Sequence, residues 1–494
     1  MLASHCNKQA LGFRLERVVA GPIRLLLVTA AIVPLACAQS AAVPADVVKP
    51  MITVNALDGV PIDRHLYGAN DYWYNVPDAR FDAFAKSLTE NCGITLLRFP
   101  GGFESEHYEW SNNTLDPTYR NYTATPGVTP EHVLKAMGDG NVTFVVRTQD
   151  ALEANTKESY ELWASKAADL VTQYGSRVQD WQIGNEWYNV GGAHKHYNEF
   201  VGRYATLLSY FAPAMKQAAE RKGYHIRLVI TANWGSAGDI AMMRSQVPAK
   251  AWSDVDGLDI HVYTGRDPWK DSPLLRLPIS SIQPAIAAMK KDSGKNLVYV
   301  SEWMATLQDD DRSGGLENAN TMMTILGEMA RAGVTEAAYW PPVWPAKDNG
   351  KQAPQADTVT LVHDDASYSV DADGQAMKWL SLGYRGAALS TAVANSTVKS
   401  LAAKDGDQVT VFVIGGTVSN ETERVRVNGF RWSQIVSAQV MYASPANVHL
   451  GPAVQADISA KKVMVDGSPA AEFVINPGGS QRGAGWEIVK LVLR

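Results

Sequence analysis

Short apolar runs alternate with longer amphipathic ones along most of this chain. Met51 to Ala56 reads as a strand running into an Asp58-Gly59 turn. Ile94–Phe99, Val142–Arg147, Val178–Ile183, Arg227–Thr231, Gly257–Val262, Leu297–Ser301 and Ala337–Tyr339 are apolar, rich in Val and Ile, and too short for helices. Between them, apolar positions recur at helical spacing over Ala79–Asn91, Pro130–Met137, Tyr160–Tyr174, Glu199–Arg221, Ile282–Lys291 and Ala319–Ala332. Strand–helix alternation of this kind predicts parallel βαβ units. With a further strand near Tyr67, eight units fit into about 300 residues, the size of a (β/α)8 TIM barrel. A doubly wound open sheet is the competing arrangement. No G-x-G-x-x-G follows the first strand, which argues against a dinucleotide-binding version of it.

The pattern changes after about Asp357. Val398–Leu401, Gln408–Ile414, Glu423–Arg426, Gln439–Tyr442, Ala471–Ile475 and Ile488–Leu493 are short strands between Gly, Asp and Ser turns, as in an antiparallel β-sandwich. Ala376–Gly383 reads as the last barrel helix or a connector. At the other end, Lys8, Arg14, Arg17 and Arg24 precede an apolar run from Leu25 to Leu35, then Ala36-Cys37-Ala38. That run is too short for a bilayer of about 30 Å. It reads as a signal peptide cut after Ala38, which implies a secreted or periplasmic protein with no membrane attachment once cleaved. Lipidation at Cys37 is the alternative, although Pro34-Leu35-Ala36 makes a poor lipobox. The expected division is a signal peptide over 1–38, a linker and N-terminal strand over 39–60, a barrel over 61–370 and a sandwich over 371–494. After cleavage only Cys92 would remain of three cysteines, so stability must come from the core. A net charge of −6 argues against a nucleic-acid partner. Fourteen Trp suit a packed core or a sugar-binding cleft, where rings stack on sugar faces.

In a barrel, chemistry sits at the C-terminal ends of the strands. Those ends carry Arg98, Asn185 with Glu186, His261 with Tyr263, Glu302 with Trp303, and Trp340. Two glutamates on two strands are the minimum for glycoside hydrolysis, one protonating the leaving oxygen and the other attacking the anomeric carbon or activating water. Three strand-plus-helix steps of roughly 40 residues separate Glu186 from Glu302, enough to face them across a barrel mouth. Asn185 can hydrogen-bond a sugar hydroxyl, Arg98 can keep a carboxylate ionised, and His261 and Tyr263 can hydrogen-bond that carboxylate or the sugar. Other features read as bland. His194-x-His196 lacks a third ligand at metal-site spacing, Asp309-Asp310-Asp311 is a polar loop, and no Lys-Ser/Thr follows Gly101-Gly102, so no metal or phosphate site is expected.

Leu97-Arg98-Phe99-Pro100-Gly101-Gly102, Trp181-Gln182-Ile183-Gly184-Asn185-Glu186, Asp259-Ile260-His261-Val262-Tyr263 and Ser301-Glu302-Trp303 resemble the retaining glycoside hydrolases of the large (β/α)8 superfamily. Within it the chain is most similar to the α-L-arabinofuranosidase family, including Leu66-Tyr67-Gly68, Phe103 and Trp110. The resemblance spans Met51 to Pro345 in ordered motifs and implies a C-terminal sandwich that the N-terminal strand joins. It implies Glu186 as acid/base, Glu302 as nucleophile, net retention, a carbohydrate substrate and no cofactor. The chain departs from the family at Ser301, where Asp is usual, at Trp187-Tyr188, where Met is usual, and at Ala69-Asn70-Asp71-Tyr72-Trp73, which lacks the early Glu. An alternative on the same scaffold is an endo-β-glycanase of the cellulose, xyloglucan or agar type, with Trp73, Trp110, Trp187, Trp234, Trp303 and Trp340 lining an open groove. A catalytically inactive glycan-binding protein is the alternative of another class.

Overall fold

The structure is a computed structural model. It describes residues 51–494 apart from 72–75, 118–126, 194, 234–236, 265–277, 306–313, 345–346, 349–350, 353–358, 395, 397, 416–420, 444–450 and 476–486. The expected signal peptide and its cleavage point lie outside the described residues, as do Trp73, Trp234 and Asp309 to Asp311.

Strand β1 is Met51–Pro61. The barrel strands are β2 (Gly68–Asn70), β3 (Leu96–Phe99), β4 (Asn141–Val146), β5 (Asp180–Ile183), β6 (Arg227–Ala232), β7 (Gly257–Thr264), β8 (Leu297–Ala305) and β9 (Glu336–Tyr339). They pair in parallel, in chain order, and close β9 onto β2. Closure at that seam explains the Tyr67-Gly68 pair: a Cβ on Gly68 would stand 2.3 Å from the Ala337 carbonyl oxygen.

Alternation along the strands divides the barrel interior into layers. Leu96, Val229, Tyr299 and Ala338 form a small apolar layer of their own. Two residues further along their strands, Arg98, Thr231 and Ser301 begin a polar layer toward the C-terminal mouth. At the opposite end, Arg227 pairs with Asp180 and Glu336, both buried, so the N-terminal face is fastened by charge. Side chains on the other faces, such as Trp181, Ile183, Phe99 and Phe144, join the helices in the large core.

The helical patterns are found where the spacing put them, from Phe81–Lys86 to Gly315–Arg331. Among the described residues three short helices went unread: Gln149–Ala154, Ala237–Gln246 and Ala249–Asp254. A further helix spans Ala372–Gly383. A ten-stranded sheet follows, in the order Val454–Asp457, Ile435–Tyr442, Glu487–Leu493, Gln408–Ile414, Lys399–Asp405, Ala387–Ala394, β1, Glu421–Asn428, Ser468–Ile475 and Lys461–Val465. It encloses a second apolar core that includes Ile52, Val54, Val411, Val425 and Leu491. The N-terminal strand therefore joins the sandwich. It pairs antiparallel with Ala387–Ala394 but parallel with Glu421–Asn428, the one departure from an all-antiparallel sheet among the described strands. Strands Ala387–Ala394, Val454–Asp457 and Lys461–Val465 were not read from the sequence; the last two carry exposed or half-exposed side chains and so lack a clear apolar alternation.

Candidate active site

Strand alternation builds the floor of the barrel mouth. Gly257, Asp259, His261 and Tyr263 alternate along β7, so Asp259, His261 and Tyr263 share one face. On β8 the same rule, counted from Tyr299 inside the barrel, would turn Ser301 inward and Glu302 outward. The pairing register with both neighbours shifts between Val300 and Glu302 or Trp303. This irregularity brings Glu302 into the mouth, the re-aiming role that bulges serve beside active sites.

Glu302 is nearly buried and firmly held. Arg98 Nη1 donates to its Oε1 at 2.8 Å, and the Tyr263 hydroxyl donates to its Oε2 at 2.6 Å. Arg98 is wholly buried, and its fork is fully used: Nη1 also meets Asn70 Oδ1 at 2.9 Å, Nη2 meets Asn185 Oδ1 at 2.5 Å, and Nε meets Gln182 Oε1 at 2.7 Å. Burial disfavours its charge, but Glu302 and Asp259 more than compensate and hold the guanidinium protonated. Asn70 ties the layer to the seam by donating to the Ser301 carbonyl at 2.8 Å.

Glu186 stands differently. It follows β5 in the left-handed region, at φ 42°, ψ 52°, a conformation that persists only when its surroundings impose it. Its Oε1 meets His261 Nδ1 at 2.8 Å and its Oε2 accepts from Asn189 Nδ2 at 2.6 Å. Burial would raise this carboxyl, but the His261 charge, the His261 and Asn189 hydrogen bonds and Arg98 outweigh it and hold the group below the usual range. His261 is buried, which opposes its charge; Glu302, then Glu186, overcome that and raise the imidazole above its ordinary value. The same Nδ1 lies 3.3 Å from Glu302 Oε2. One oxygen of each glutamate and a ring nitrogen of His261 all lie within 4.8 Å of one another. Three such ligands can hold a metal ion in principle; in this structure the Arg98 guanidinium already pairs with Glu302 there.

Glu186, Glu302, Arg98, Asn185, His261 and Tyr263 thus meet in one cluster. Asn185 Nδ2 is buried and has no partner among the described residues, and so is able to donate to an incoming hydroxyl. Trp340 is half-buried beside the Gly101-Gly102 loop. A Cβ on Gly102 would come 2.5 Å from the Trp340 ring, and one on Gly101 would come 2.2 Å from the Asp71 carbonyl. Close approach alone accounts for both glycines. Two expected aromatic contacts need correction. Trp187 is fully buried, stacks on Tyr204 and donates from Nε1 to the Thr231 carbonyl at 3.0 Å. Trp303 is fully buried and packs edge-on against Tyr339. Neither offers a face to a sugar. Trp110 likewise packs among Phe99, Tyr108, Phe144 and Tyr174. His196 is exposed beside Glu199, and His194 lies outside the described residues. Unread from sequence were Asn70, Gln182, Asn189 and Glu106. Asn70 ends β2 and was open to the same strand-end reasoning that found Arg98.

No family model matches the chain, and no curated protein matches its sequence. Solved structures do match the whole described architecture. One is a family 51 α-L-arabinofuranosidase, AbfB from Bifidobacterium longum, at 12% identity and TM-score 0.61, covering 90% of this chain and 99% of its own. A monomeric β-xylosidase from Caulobacter crescentus CB15 matches at 13% identity and TM-score 0.56, and the family 44 endoglucanase Cel44A from Clostridium thermocellum at 12% and 0.53, both over 90% of this chain and 99% of theirs. At these identities the likeness establishes the fold. The chain has the (β/α)8-barrel-plus-sandwich architecture of these glycoside hydrolases.

Proposed function

We propose that the chain is a retaining glycoside hydrolase that cleaves plant or algal polysaccharide or its oligosaccharides, similar to an α-L-arabinofuranosidase. The observation that carries this reading is the approach of a Glu186 oxygen to a Glu302 oxygen within 4.8 Å. Retaining enzymes hold their carboxyl groups about 5–5.5 Å apart, whereas inverting ones leave about 6.5–9.5 Å for a water. Glu302, paired with Arg98 and Tyr263, attacks the anomeric carbon. The glycosidic C–O bond breaks as Glu186 gives its proton to the leaving oxygen. Water then attacks the glycosyl-enzyme while Glu186 takes its proton, and Glu302 is released as carboxylate. The proton Glu186 donates is supplied across the 2.8 Å bond from His261 Nδ1. Asn185 Nδ2 serves a sugar hydroxyl next to the bond being broken. The Lys8 to Ala38 segment supports secretion.

Hydrolysis of an aryl α-L-arabinofuranoside, alongside soluble β-glucan, xyloglucan, arabinoxylan and agarose, tests the reading, with Glu302→Gln as the blank and product anomers followed by NMR. Retention of configuration, abolished with activity in the variant, is expected. Inversion at the anomeric carbon would refute the scheme. Inert aryl arabinofuranoside with a rapid viscosity drop on one polymer would favour an endo-β-glycanase; xyloglucan stands in that panel because a xyloglucanase shares the fold. Binding without turnover on every substrate would favour the glycan-binding alternative.

A further inference from the structure

Glu106 lies wholly buried in the turn Phe103–Glu106, just beyond the Gly101-Gly102 loop. No cation pairs with it in an ion pair among the described residues. Four donors converge on its carboxylate instead. Oε2 accepts from the backbone N–H groups of Thr148 at 2.6 Å and Gln149 at 2.7 Å; Oε1 accepts from the Asn185 N–H at 2.5 Å and the Thr148 hydroxyl at 2.9 Å. One side chain thereby ties the end of β4 to the residue immediately before Glu186. Gly184 fits the same contact. At φ +75° it takes a conformation that suits glycine, and a Cβ there would lie 2.4 Å from Thr148 Oγ1 and 3.2 Å from Glu106 Oε1. The Gly184 carbonyl is in turn fixed by Gln182 Nε2 at 2.9 Å and Thr231 Oγ1 at 3.0 Å.

We infer that Glu106 is a positioning residue for Glu186: by accepting the Asn185 N–H it fixes the left-handed turn that aims Glu186 at His261 and at the glycosidic oxygen. This rests on the acid/base reading of Glu186 for its catalytic consequence, but not for its geometry. A left-handed non-glycine residue needs its neighbours to impose the conformation. The Gly184–Asn185 peptide, one residue ahead of Glu186, is pinned at both ends: the Gly184 carbonyl by two donors, and the Asn185 N–H by Glu106. Releasing the N–H leaves the peptide free to rotate, and Glu186 relaxes away from His261.

Glu106→Gln isolates this bond. Its carboxamide keeps one acceptor oxygen, which serves the two loop N–H groups of Thr148 and Gln149. Its NH2 then faces the Thr148 hydroxyl, which can rotate to accept, and the Asn185 N–H, which cannot. The test is a carboxyl titration of protein labelled with 13C-glutamate, with the Glu186 signal identified by its loss in Glu186→Ala. In Glu106→Gln the Glu186 titration is expected to rise by about one unit, a tenfold gain in proton affinity, as it loses the His261 cation. An unmoved titration in a variant that melts like wild type would overturn the inference. If Glu106→Gln does not fold, Glu106→Asp, which keeps the charge but is shorter by one methylene, is read in the same way. A kinetic arm uses aryl arabinofuranosides of graded leaving-group acidity. Loss of about 10²-fold on a phenyl leaving group, but little on dinitrophenyl, is expected of a misplaced acid; a uniform loss on both would point to a structural role and overturn the inference. The titration requires no sugar. If Glu186→Ala itself showed no leaving-group dependence, the catalytic reading would fail while the tether stood or fell on its own measurement.

Discussion

Replacing His261 by Asn gives the sharpest test of the candidate site, because in the proposed mechanism His261 and Glu186 together hold the proton given to the leaving oxygen. In the free protein the pair carries one proton over a broad range, as carboxylate and imidazolium, and the two titrate as a unit. His261 is raised above its ordinary value and Glu186 is lowered below its own. The alkaline limb of kcat/KM should therefore lie above about 6.5, where the pair gives up its last proton. A hydrogen bond to a charged partner contributes about 1.5–3 kcal/mol, or roughly one to two pH units. In His261→Asn the proton must reside on Glu186 without that partner, so the alkaline limb should fall by about one to two units. The assay is a pH profile of kcat/KM on the best aryl glycoside. Stability supplies an independent check. His261 contributes stability that is fully present below about 6.5 and lost as pH rises through its higher folded value; Glu186 contributes stability present above about 4.3 and lost as pH falls through its lower folded value. Urea unfolding from pH 3 to 9 should show both slopes in wild type and neither in the variant. A variant whose alkaline limb stays where it was would refute the shared-proton reasoning.

Three further outcomes are expected. Tyr263→Phe removes the 2.6 Å bond to Glu302 and should lower kcat by about 10- to 100-fold with little change in melting temperature, as steady-state kinetics and a thermal melt would read. Gly184→Ala forces a Cβ to within 2.4 Å of Thr148 Oγ1 at a positive φ; a loss of about 1–3 kcal/mol in urea unfolding is expected, together with a fall in activity. Asp71 is wholly buried, its carboxylate oxygens lack hydrogen-bond partners among the described residues, and burial pushes its carboxyl up to about 8. Wild-type stability should therefore fall as pH rises from about 4 toward 8, and Asp71→Asn should be the more stable protein at pH 8, with its advantage shrinking toward pH 4, measured by urea unfolding at both pH values.

The barrel was legible because its strands are buried on both faces and so read as short continuous apolar runs, and because topology alone sends their last residues to one mouth. That is why residues as distant in sequence as Arg98 and Glu302 could be placed together. What sequence could not supply was the direction of individual side chains. Trp187 and Trp303 adjoin the two glutamates and were expected to face a sugar. A left-handed residue in one case and a register shift in the other turn each ring into the core instead. Glu106 was invisible for a related reason. Nothing in Phe103-Glu104-Ser105-Glu106 marks which acid will fold beneath the strand ends, because its four partners come from β4's end and β5's end and three of them are backbone.

The two glutamates meet the fold on different terms, and the difference argues for their roles. Glu302 sits in an extended strand and receives donors that do not change state near neutral pH, a guanidinium and a phenol. Such an environment favours a group whose part is to form and break a bond to carbon. Glu186 sits on a constrained turn and shares its proton with an imidazole, the side chain whose charge changes most readily near neutrality. That environment favours a group that must give a proton away and take one back within a single turnover. Once Glu302 is glycosylated, the negative charge that raises His261 most is gone. In the proposed scheme the pair's proton has by then left with the leaving group, and without that charge the pair regains one from solvent less readily. Glu186 is left ionised to act as base, at the step where double displacement requires one. Exchanging the roles would ask the guanidinium-bound carboxylate to accept a proton and the imidazole-paired one to refuse it. The hydrogen-bond partners of both residues oppose that.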